Sequence, residues 1–367
     1  MVLPEVPGVG FVGCGNISDI YFKNAARFGR YRAAVCTDLN PERARAKADL
    51  YACRAADSID AVVNDPEVDI VLNITPPAAH AAVTRAALEA GKHVYTEKPI
   101  ATTLKDAQDL LALAERRGLL FCSAPDTFLG AGHQVCRAQI DAGAVGIPVA
   151  AVGFMLSPGP EGWHPDPEFF FQPGGGPLLD MGPYYLTAMV NFFGPIRSVT
   201  AASKASFPER TIGSGPKAGQ KIRVNTPTHI SGTLTFESGV LATLVMSFDC
   251  AAHELPNMQV YGSEGSLAVP DPNTFGGPVR RFTLGMDRAA PWEELPIPEK
   301  TSENSRGLGI IDLIESARAG REPRTSARVA VQVLEAMEAM LDAERSGASV
   351  RLTTTCKRPD PWLNPLG

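Results

Sequence analysis

The sequence predicts an α/β protein in which a parallel-sheet domain, residues 1–124, precedes an α+β domain with an open, mostly antiparallel sheet, residues 125–367. Three observations predict this fold class. The chain has 367 residues, enough for about two domains of roughly 150 residues each. Strand and helix signals alternate up to about residue 124, which is typical of a doubly wound parallel sheet. Short turns such as Glu237-Ser238-Gly239 join the later strands, which is typical of antiparallel hairpins.

The first domain is predicted from strands and helices that follow one another closely. Strands are expected at 9–12, 31–37, 69–74, 93–96 and 119–123. Helices are expected at 18–28, 41–52, 77–90 and 103–117. Asn40 suits a helix N-cap before Pro41, and Gly118 suits a helix end. The third strand is almost wholly apolar, as expected of a parallel strand that is buried on both faces.

The second domain is predicted from a run of strands with few helices. Strands are expected at 149–154, 198–204, 229–236, 240–248, 258–261 and 266–269. Helices are expected at 132–142, 308–318 and 327–345. Alternating apolar residues leave an open sheet face that must be covered, so we expect a homo-oligomer, a dimer or tetramer, to form through this sheet.

Composition excludes several classes of protein. A net charge of −6 without a basic stripe argues against a nucleic-acid partner. The apolar runs are interrupted by glycine and proline, and residues 1–8 lack basic residues, so neither a membrane span nor a signal peptide is expected. Seven scattered cysteines predict reduced thiols and a cytoplasmic location. The absence of metal-ligand spacing among His, Cys and carboxylate residues predicts metal-free chemistry.

A glycine-rich turn follows the first predicted strand. Gly13, Gly15 and Ser18 fit the pattern G-x-G-x-x-G with a small residue in the third position. The first glycine permits a tight turn, and the second lets a pyrophosphate approach the backbone at the N-terminus of the next helix. In a strand–turn–helix context this pattern favours a dinucleotide-binding Rossmann domain over an ordinary tight turn.

The residue that ends the second predicted strand bears on the choice of cofactor. Asp38 lies twenty residues beyond Ser18. A carboxylate there accepts a hydrogen bond from the 2′-hydroxyl of the adenosine ribose and repels a 2′-phosphate. We therefore expect NAD to bind in preference to NADP.

The segment Thr96-Glu97-Lys98-Pro99 follows a strand, at the sheet edge where open α/β folds bind ligands. Oxidation of an alcohol needs a base for the hydroxyl proton while hydride leaves for the nicotinamide. Lys98 suits that role, and Pro99 suits a cis peptide bond. From spacing alone, a surface lysine before a turn is the better explanation of the segment.

Three segments resemble the Gfo/Idh/MocA family, named after glucose–fructose oxidoreductase, inositol dehydrogenase and their relatives. They are Gly13-Cys14-Gly15-Asn16-Ile17, Glu97-Lys98-Pro99 and the glycine-rich run 174–182. The resemblance extends to about residue 345 and implies NAD(P)-linked hydride transfer on sugars and cyclitols. It implies that the first two segments contact the cofactor, that Lys98 transfers the proton and that Asp180 lies in the substrate pocket.

Tyr184 stands where the family often has a histidine, four residues after Asp180. A tyrosine is a poor base but can donate a hydrogen bond or relay a proton with Lys98. We therefore expect Lys98, Asp180 and Tyr184 to be both catalytic and substrate-contacting. The departure leaves two alternatives open: a redox-neutral NAD-dependent glycosidase or lyase, and a non-catalytic protein that senses NAD or a sugar.

Five further residues are candidates for the site. The resemblance implies that Thr75 and His80 line the nicotinamide ribose, whereas a solvent-facing His80 at a helix start is the alternative. Asp126 follows the last strand of the first domain, and either contacts substrate or caps the next helix. Trp163 and His164 either bind a sugar or belong to an exposed loop without that role.

Overall fold

A computed structural model describes residues 3–285, 287, 289–363 and 366. The chain forms two compact units. The first comprises the described residues within 1–130, 299–331 and 362–367, and the second comprises those within 131–298 and 332–361. The sequence analysis assigned all residues after 124 to the second domain. In the structure, the two C-terminal segments within 299–331 and 362–367 belong instead to the first unit.

The first unit contains a six-stranded parallel sheet in the order β3-β2-β1-β4-β5-β6. Its strands are β1 (Gly8–Val12), β2 (Arg32–Thr37), β3 (Arg54–Ala55), β4 (Ile70–Asn73), β5 (His93–Thr96) and β6 (Phe121–Ser123). Its helices are α1 (Ser18–Phe28), α2 (Pro41–Tyr51), α3 (Ile59–Val63), α4 (Pro77–Glu89), α5 (Leu104–Arg117) and α8 (Leu308–Ala319). The predicted Rossmann architecture is confirmed.

Local sequence explains where these helices begin and end. The Asn40 side chain accepts hydrogen bonds from two backbone N–H groups of the first turn of α2, and the Thr103 hydroxyl accepts one in the first turn of α5. Gly29 and Gly118 end α1 and α5 in the left-handed conformation that glycine adopts at low cost. These signals are local, which is why the sequence placed the helices within a residue or two.

The register of the parallel sheet aligns the ends of its strands. Val12 pairs with Thr37 on one side and Asn73 on the other, and Asn73 pairs in turn with Thr96. The segments after these residues therefore emerge side by side at the carboxyl edge. Because the chain winds outward in opposite directions from β1 and β4, a crevice opens there of the kind that binds ligands in open α/β sheets.

The second unit contains a nine-stranded sheet in the order β16-β15-β14-β13-β7-β12-β11-β8-β17, and a separate β9–β10 hairpin. The strands are β7 (Pro148–Leu156), β8 (Ile196–Lys204), β9 (Glu209–Thr211), β10 (Lys221–Arg223), β11 (His229–Phe236), β12 (Leu241–Ser247), β13 (Met258–Gly262), β14 (Gly265–Val269), β15 (Val279–Thr283), β16 (Glu293–Leu295) and β17 (Val350–Arg351). Seven neighbouring pairs of the large sheet run antiparallel, and β7 and β12 run parallel.

Helices cover one face of the large sheet. The helices of the second unit are α6 (Ala131–Asp141), α7 (Pro177–Phe193) and most of α9 (Ala327–Ser346). Helix α6 contacts β14 and β15, whereas α7 contacts β7, β11 and β12. The covered face carries buried side chains such as Leu234 and Leu244, while Val152 and Val245 on the other face stay partly exposed. The predicted open, mostly antiparallel sheet is confirmed.

Several short elements were not predicted, among them β3, α3 and the edge strands β16 and β17. Each has too few residues to show a period of its own in the sequence. Over the part of the chain that the structure describes, none of the helices combines the length and apolar character needed to cross a bilayer.

Candidate functional site

The glycine turn between β1 and α1 has the form that a dinucleotide requires. Gly13 has φ of 103°, and a Cβ atom there would lie 2.6 Å from the Ile74 carbonyl oxygen. A Cβ at Gly15 would instead meet nothing within 4 Å. Packing therefore demands glycine at residue 13, whereas residue 15 borders open space that a side chain would fill and a phosphate could occupy.

The start of α1 presents free backbone donors to that space. Ile17 precedes the helix without a side-chain capping hydrogen bond, and Asn16 and Ile17 are both exposed. Ser18 is fully buried and donates its hydroxyl to the Gly15 carbonyl at 2.6 Å. Uncapped N–H groups and the helix dipole favour an anion, so this end of α1 fits a pyrophosphate.

Asp38 lies at the end of β2 with its carboxylate fixed beside the turn. Oδ2 accepts the backbone N–H of Cys14 at 2.8 Å, and Oδ1 accepts that of Asn40 at 2.9 Å. The Arg43 guanidinium lies 3.7 Å from Oδ1. Each carboxylate oxygen has a further lone pair, so the group can still accept a hydrogen bond from a ribose hydroxyl.

Thr75 and His80 lie beyond the end of β4 and are joined by a buried asparagine. Asn73 Oδ1 accepts the Thr75 hydroxyl at 2.7 Å, and its amide donates to the His80 carbonyl at 3.0 Å. His80 is only 1% exposed, so the solvent-facing alternative is wrong. Its Nε2 faces the Thr75 carbonyl at 2.9 Å and its Nδ1 faces that of Pro99 at 2.6 Å. The imidazole thus connects the turns after β4 and β5.

The turn after β5 holds Lys98 through its neighbours. Glu97 accepts the Tyr21 hydroxyl at 2.7 Å with Oε1 and the backbone N–H of Lys98 at 3.0 Å with Oε2. The Lys98–Pro99 peptide bond is cis, as predicted. Lys98 is partly exposed at the carboxyl edge, one strand away from Thr75. Within the first unit, the sheet register therefore gathers the glycine turn, Asp38, Thr75 and Lys98 at one edge.

Asp126 does not take the predicted place in a substrate site. It is 1% exposed, and its Oδ2 accepts the backbone N–H groups of Gly307 at 2.8 Å and Gly309 at 3.0 Å. Burial raises the pKa of this carboxyl to about 6, against the opposing effect of those two hydrogen bonds. Asp126 is therefore a cap of α8, a helix some 180 residues further along the chain, and its assignment as a substrate contact is corrected.

The other predicted catalytic residues lie on α7 in the second unit. Gly176 precedes the helix with φ of 91°, Pro177 begins it, and Asp180 falls in its first turn. Tyr184 follows one turn later on the same helix face and is 8% exposed. Asp180 and Tyr184 are thus neighbours on α7, as their spacing implied.

Trp163 and His164 belong to an aromatic cluster near that helix. Trp163 is 68% exposed, and its ring meets that of His164 edge to face at 5.4 Å. The His164 ring meets that of Phe170 at 5.3 Å. The Gly176 N–H donates to the Phe170 carbonyl at 2.7 Å, which ties the cluster to the start of α7. An exposed indole in such a setting can stack on the C–H face of a sugar.

Sequence reasoning missed Tyr21 and Asn73, whose side chains contact Glu97 and Thr75. Tyr21 lies within α1 and Asn73 ends an apolar strand, so neither differs by pattern from an ordinary core residue. In the residues that the structure describes, no group of three or more His, Cys, Asp or Glu side chains is arranged to hold a metal ion.

Two family models match this chain. Residues 8–124 match the oxidoreductase family with an NAD-binding Rossmann fold, GFO_IDH_MocA. Residues 133–268 match the GFO/IDH/MocA C-terminal domain, so the two models together cover more than half of the chain. The chain belongs to the Gfo/Idh/MocA oxidoreductase family. This Gfo/Idh/MocA protein is thus an oxidoreductase with an NAD-binding Rossmann domain.

Relatives of this family member act on sugars, as their names record. The chain is 29% identical to 1,5-anhydro-D-fructose reductase of Ensifer adhaerens, over 70% of this chain and 74% of the relative. It is 28% identical to dTDP-3,4-didehydro-2,6-dideoxy-alpha-D-glucose 3-reductase of Streptomyces violaceoruber, over 93% and 95% of the two chains. Levoglucosan dehydrogenase, solved with NADH and levoglucosan, shares the fold with a TM-score of 0.81 at 19% identity, over 94% and 99%.

Proposed function

We propose that this oxidoreductase transfers a hydride between NAD and a secondary hydroxyl or ketone of a sugar, a sugar derivative or a cyclitol. The observation that supports this most is Lys98, which lies at the same sheet edge as the glycine turn and Asp38. The sugar-directed relatives support the substrate class. Bound NAD supplies the hydride acceptor, and residues of the protein transfer the proton and orient the substrate.

Proton transfer is the role proposed for Lys98. When the substrate carbon gives up hydride, its hydroxyl must lose a proton, and a neutral lysine amine can accept it. In the reverse direction the ammonium donates the proton to the ketone oxygen. The Tyr21–Glu97–Lys98 backbone contacts fix the turn that carries the amine. Thr75, His80 and Glu97 are proposed to shape the nicotinamide end of the site around it.

Substrate orientation is the role proposed for Asp180 and Tyr184. A carboxylate accepts hydrogen bonds from sugar hydroxyls, and a phenol donates one to an oxygen on which negative charge develops. Their spacing of four residues on α7 lets both bind one substrate. Trp163 and His164 are proposed to add stacking and hydrogen bonding to the ring.

A coupled assay tests the proposal. Purified protein is incubated with NAD and a panel of aldoses, inositols, sugar acids and glycosides, and NADH is followed by its absorbance. We expect NADH with one class of polyol, and we expect Lys98→Met to lose turnover about 10³-fold while its NAD affinity stays within about twofold. Lys105→Met is the matched control, since Lys105 lies on the exposed side of α5.

Each of the other possible outcomes of this assay indicates a different function. Full turnover in Lys98→Met excludes that lysine from proton transfer. If NAD binds but no polyol yields NADH, mass spectrometry of the incubated glycosides separates redox-neutral cleavage, which changes their mass, from sugar or NAD sensing, which leaves them intact.

The preference for NAD over NADP is proposed from Asp38. Its carboxylate borders the turn and would repel a 2′-phosphate, although Arg43 lies 3.7 Å away and partly offsets the negative charge. We expect NADP to bind at least about tenfold more weakly than NAD. In Asp38→Ser, with Arg43 kept, this ratio should fall towards one, and an unchanged ratio would remove Asp38 from cofactor selection.

Self-association through the large sheet and a cytoplasmic location complete the proposal. Val152 pairs with Thr243 and Phe154 with Val245 on the face that the helices leave uncovered. A second copy of this chain is the proposed occupant, as a dimer or tetramer, because its own identical face would bury these residues in turn. Phe154→Lys should then yield a monomer by light scattering, and an unchanged mass would locate the interface elsewhere.

The seven free cysteines favour a reducing compartment.

A further inference from the structure

The first turn of α1 is joined to α2 by the side chain of Asp19. Asp19 is the second residue of α1 and directly follows Ser18 of the glycine turn. Its Oδ1 accepts the Tyr51 hydroxyl at 2.8 Å and pairs with the Lys47 ammonium. Lys47 and Tyr51 both lie on α2, four residues apart and therefore on the same face of that helix. One carboxylate thus connects the helix that begins at the glycine turn to the helix that begins beyond Asp38.

The same face of α2 also contacts Asp38. Arg43 lies four residues before Lys47, and its guanidinium is 3.7 Å from Oδ1 of Asp38. Asn40 caps the helix, and its backbone N–H donates to the same oxygen at 2.9 Å. Helix α2 therefore contacts both the carboxylate proposed for the adenosine ribose and the first turn of the helix proposed for the pyrophosphate.

Packing holds both partners of Asp19 in place. The Tyr51 ring stacks on the Phe22 ring with centroids 4.6 Å apart, and Phe22 stacks in turn on Phe11 of β1 at 3.9 Å. The Lys47 side chain is only 18% exposed, whereas that of Asp19 is 39% exposed. The ion pair is thus partly shielded between α1 and α2, and salt weakens it less than a fully exposed pair.

The pair also decides which charge a bound pyrophosphate meets. A carboxylate in the first turn suits the helix dipole, but it repels an anion at the same end of the helix. The Lys47 ammonium holds the pKa of the Asp19 carboxyl below its ordinary value, and Tyr51 and Lys23 add to this effect against that of partial burial. Asp19 is therefore ionised at neutral pH. Removal of Lys47 would leave its negative charge uncompensated by a contacting cation at the end of α1 that is proposed to hold the pyrophosphate.

We propose that Lys47 is a positioning residue for the dinucleotide and acts through Asp19. It neutralises the carboxylate beside the pyrophosphate and holds the first turn of α1 against α2. This role rests on the proposed function, in which NAD binds at the glycine turn. The damage caused by losing Lys47 then depends on the charge of Asp19, so removal of that charge as well should restore binding.

Calorimetry of NAD binding to the full-length protein tests this role. We expect Lys47→Met to raise the Kd for NAD about fivefold, because the pyrophosphate then meets the uncompensated Asp19 carboxylate. A double variant with Asp19→Asn and Lys47→Met should bind within about twofold of wild type, since asparagine is neutral and its oxygen still accepts the Tyr51 hydroxyl. Added salt should narrow the difference between Lys47→Met and wild type, because it screens the repulsion.

Control variants separate this pair from the general effect of charge. Lys23→Met removes the same charge from an exposed residue of α1, one turn beyond Asp19, and should change the Kd by less than about twofold. Lys47→Arg keeps the charge and should also stay within about twofold of wild type. Gly15→Val fills the space proposed for the phosphate and should abolish binding. Retained binding in Gly15→Val would overturn the proposed cofactor site, and the role of Lys47 with it.

Other outcomes overturn the role of Lys47 alone. If Gly15→Val loses NAD but Lys47→Met binds it as tightly as wild type, the ion pair has no part in cofactor binding. If the double variant binds as weakly as Lys47→Met, disturbed packing of α2 rather than the Asp19 charge causes the loss, and urea unfolding of both variants measures that disturbance. Because the readout is binding of NAD, the result does not depend on the proposed substrate or on turnover.

Discussion

The hydroxyl of Tyr21 donates a hydrogen bond of 2.7 Å to Oε1 of Glu97, across 76 residues of sequence. The other oxygen of the same carboxylate accepts the backbone N–H of Lys98 at 3.0 Å. Tyr21 is fully buried whereas Glu97 is partly exposed, so the bond is partly shielded from water. Glu97 is thus a positioning residue that connects α1 to the turn carrying the proposed proton-transfer lysine.

Replacement of Tyr21 by phenylalanine removes the donor and leaves the ring. We expect a loss of about 1–3 kcal/mol in the free energy of unfolding, since the carboxylate loses a charge-assisted hydrogen bond. We also expect kcat to fall about tenfold with little change in KM for NAD, because the turn loses its preferred position. Urea unfolding and steady-state kinetics measure the two effects.

Tyr31→Phe is the matched control for that variant. Tyr31 is equally buried and also donates one hydrogen bond, at 3.1 Å to the Tyr21 carbonyl, but it does not contact Glu97. Its stability loss should be about 0.5–1.5 kcal/mol, with kcat unchanged. An equal loss of kcat in both variants would show that general loosening of the unit, rather than Glu97, limits turnover.

Arg210 is the centre of a buried ion cluster in the second unit. Its guanidinium contacts Glu161 at 2.8 Å, Asp249 at 2.5 Å and the Phe248 carbonyl at 2.6 Å, and it lies over the Phe171 ring. Burial raises the pKa of Glu161, against the attraction of Arg210. The guanidinium therefore ties the β9–β10 excursion to the loop that carries the aromatic cluster.

Removal of the Arg210 charge should release both segments. We expect Arg210→Met to lower the free energy of unfolding by about 3–5 kcal/mol, since two carboxylates remain buried without their partner. Hydrogen exchange should accelerate at residues 157–173 and 205–227, and Arg210→Lys should restore only part of the protection because an ammonium lacks the planar fork. Lys217→Met removes an exposed ion pair and should cost under about 1 kcal/mol. If hydrogen exchange in these loops is unchanged in Arg210→Met, packing alone keeps them ordered.

The extent to which the site could be predicted depended on whether its signals are local. The turn at Gly13 and Gly15 and the end of β2 at Asp38 were readable because strand, turn and helix are consecutive in the sequence. Asp126 shows the limit of that reasoning. Its place after a strand suggested a ligand contact, yet its partners, Gly307 and Gly309, lie about 180 residues away and no periodicity points to them.

Strand pairing shows the same limit at the level of the fold. Hairpin turns identified neighbours such as β11 and β12, since the connection is only a few residues long. The parallel pairing of β7 with β12 joins strands separated by α7 and four other strands, and alternation alone carries no information about such partners.

The helix end before Cys53 carries an unusual backbone conformation. Ala52 ends α2 with φ of 52°, whereas α1, α5 and α8 end on glycine at a comparable φ. A left-handed conformation costs an L-residue about 1–2 kcal/mol. Glycine avoids this cost, but its unfolded chain is more flexible and loses more entropy on folding, which offsets part of the gain. We expect Ala52→Gly to raise the free energy of unfolding by about 0.5–1 kcal/mol. Gly118→Ala, with open space around its Cβ, should lower it by a similar amount. A destabilised Ala52→Gly would mean that its methyl group packs favourably.

His133 provides a test of acid sensitivity in the second unit. It lies on α6, fully buried, and burial lowers its pKa to about 4, against the opposing effect of the nearby Asp271 and Thr274 carbonyls. The ordinary value of about 6.5 applies in the unfolded chain. Below that value the unfolded state binds a proton and the folded state does not. The contribution of His133 to stability is therefore complete at neutral pH and is lost as the pH falls from about 6.5 to about 4.

Comparison of wild type with His133→Leu isolates this contribution from those of all other groups. The free energy of unfolding of the wild type should fall by about 2 kcal/mol more than that of the variant between about pH 7.5 and about pH 5. Urea unfolding of the two proteins at each pH measures the difference. His253→Leu, at an exposed position, should follow the wild type throughout. Parallel curves for wild type and His133→Leu would mean that the folded protein admits a proton at His133, and that the α6 core is open to water below pH 6.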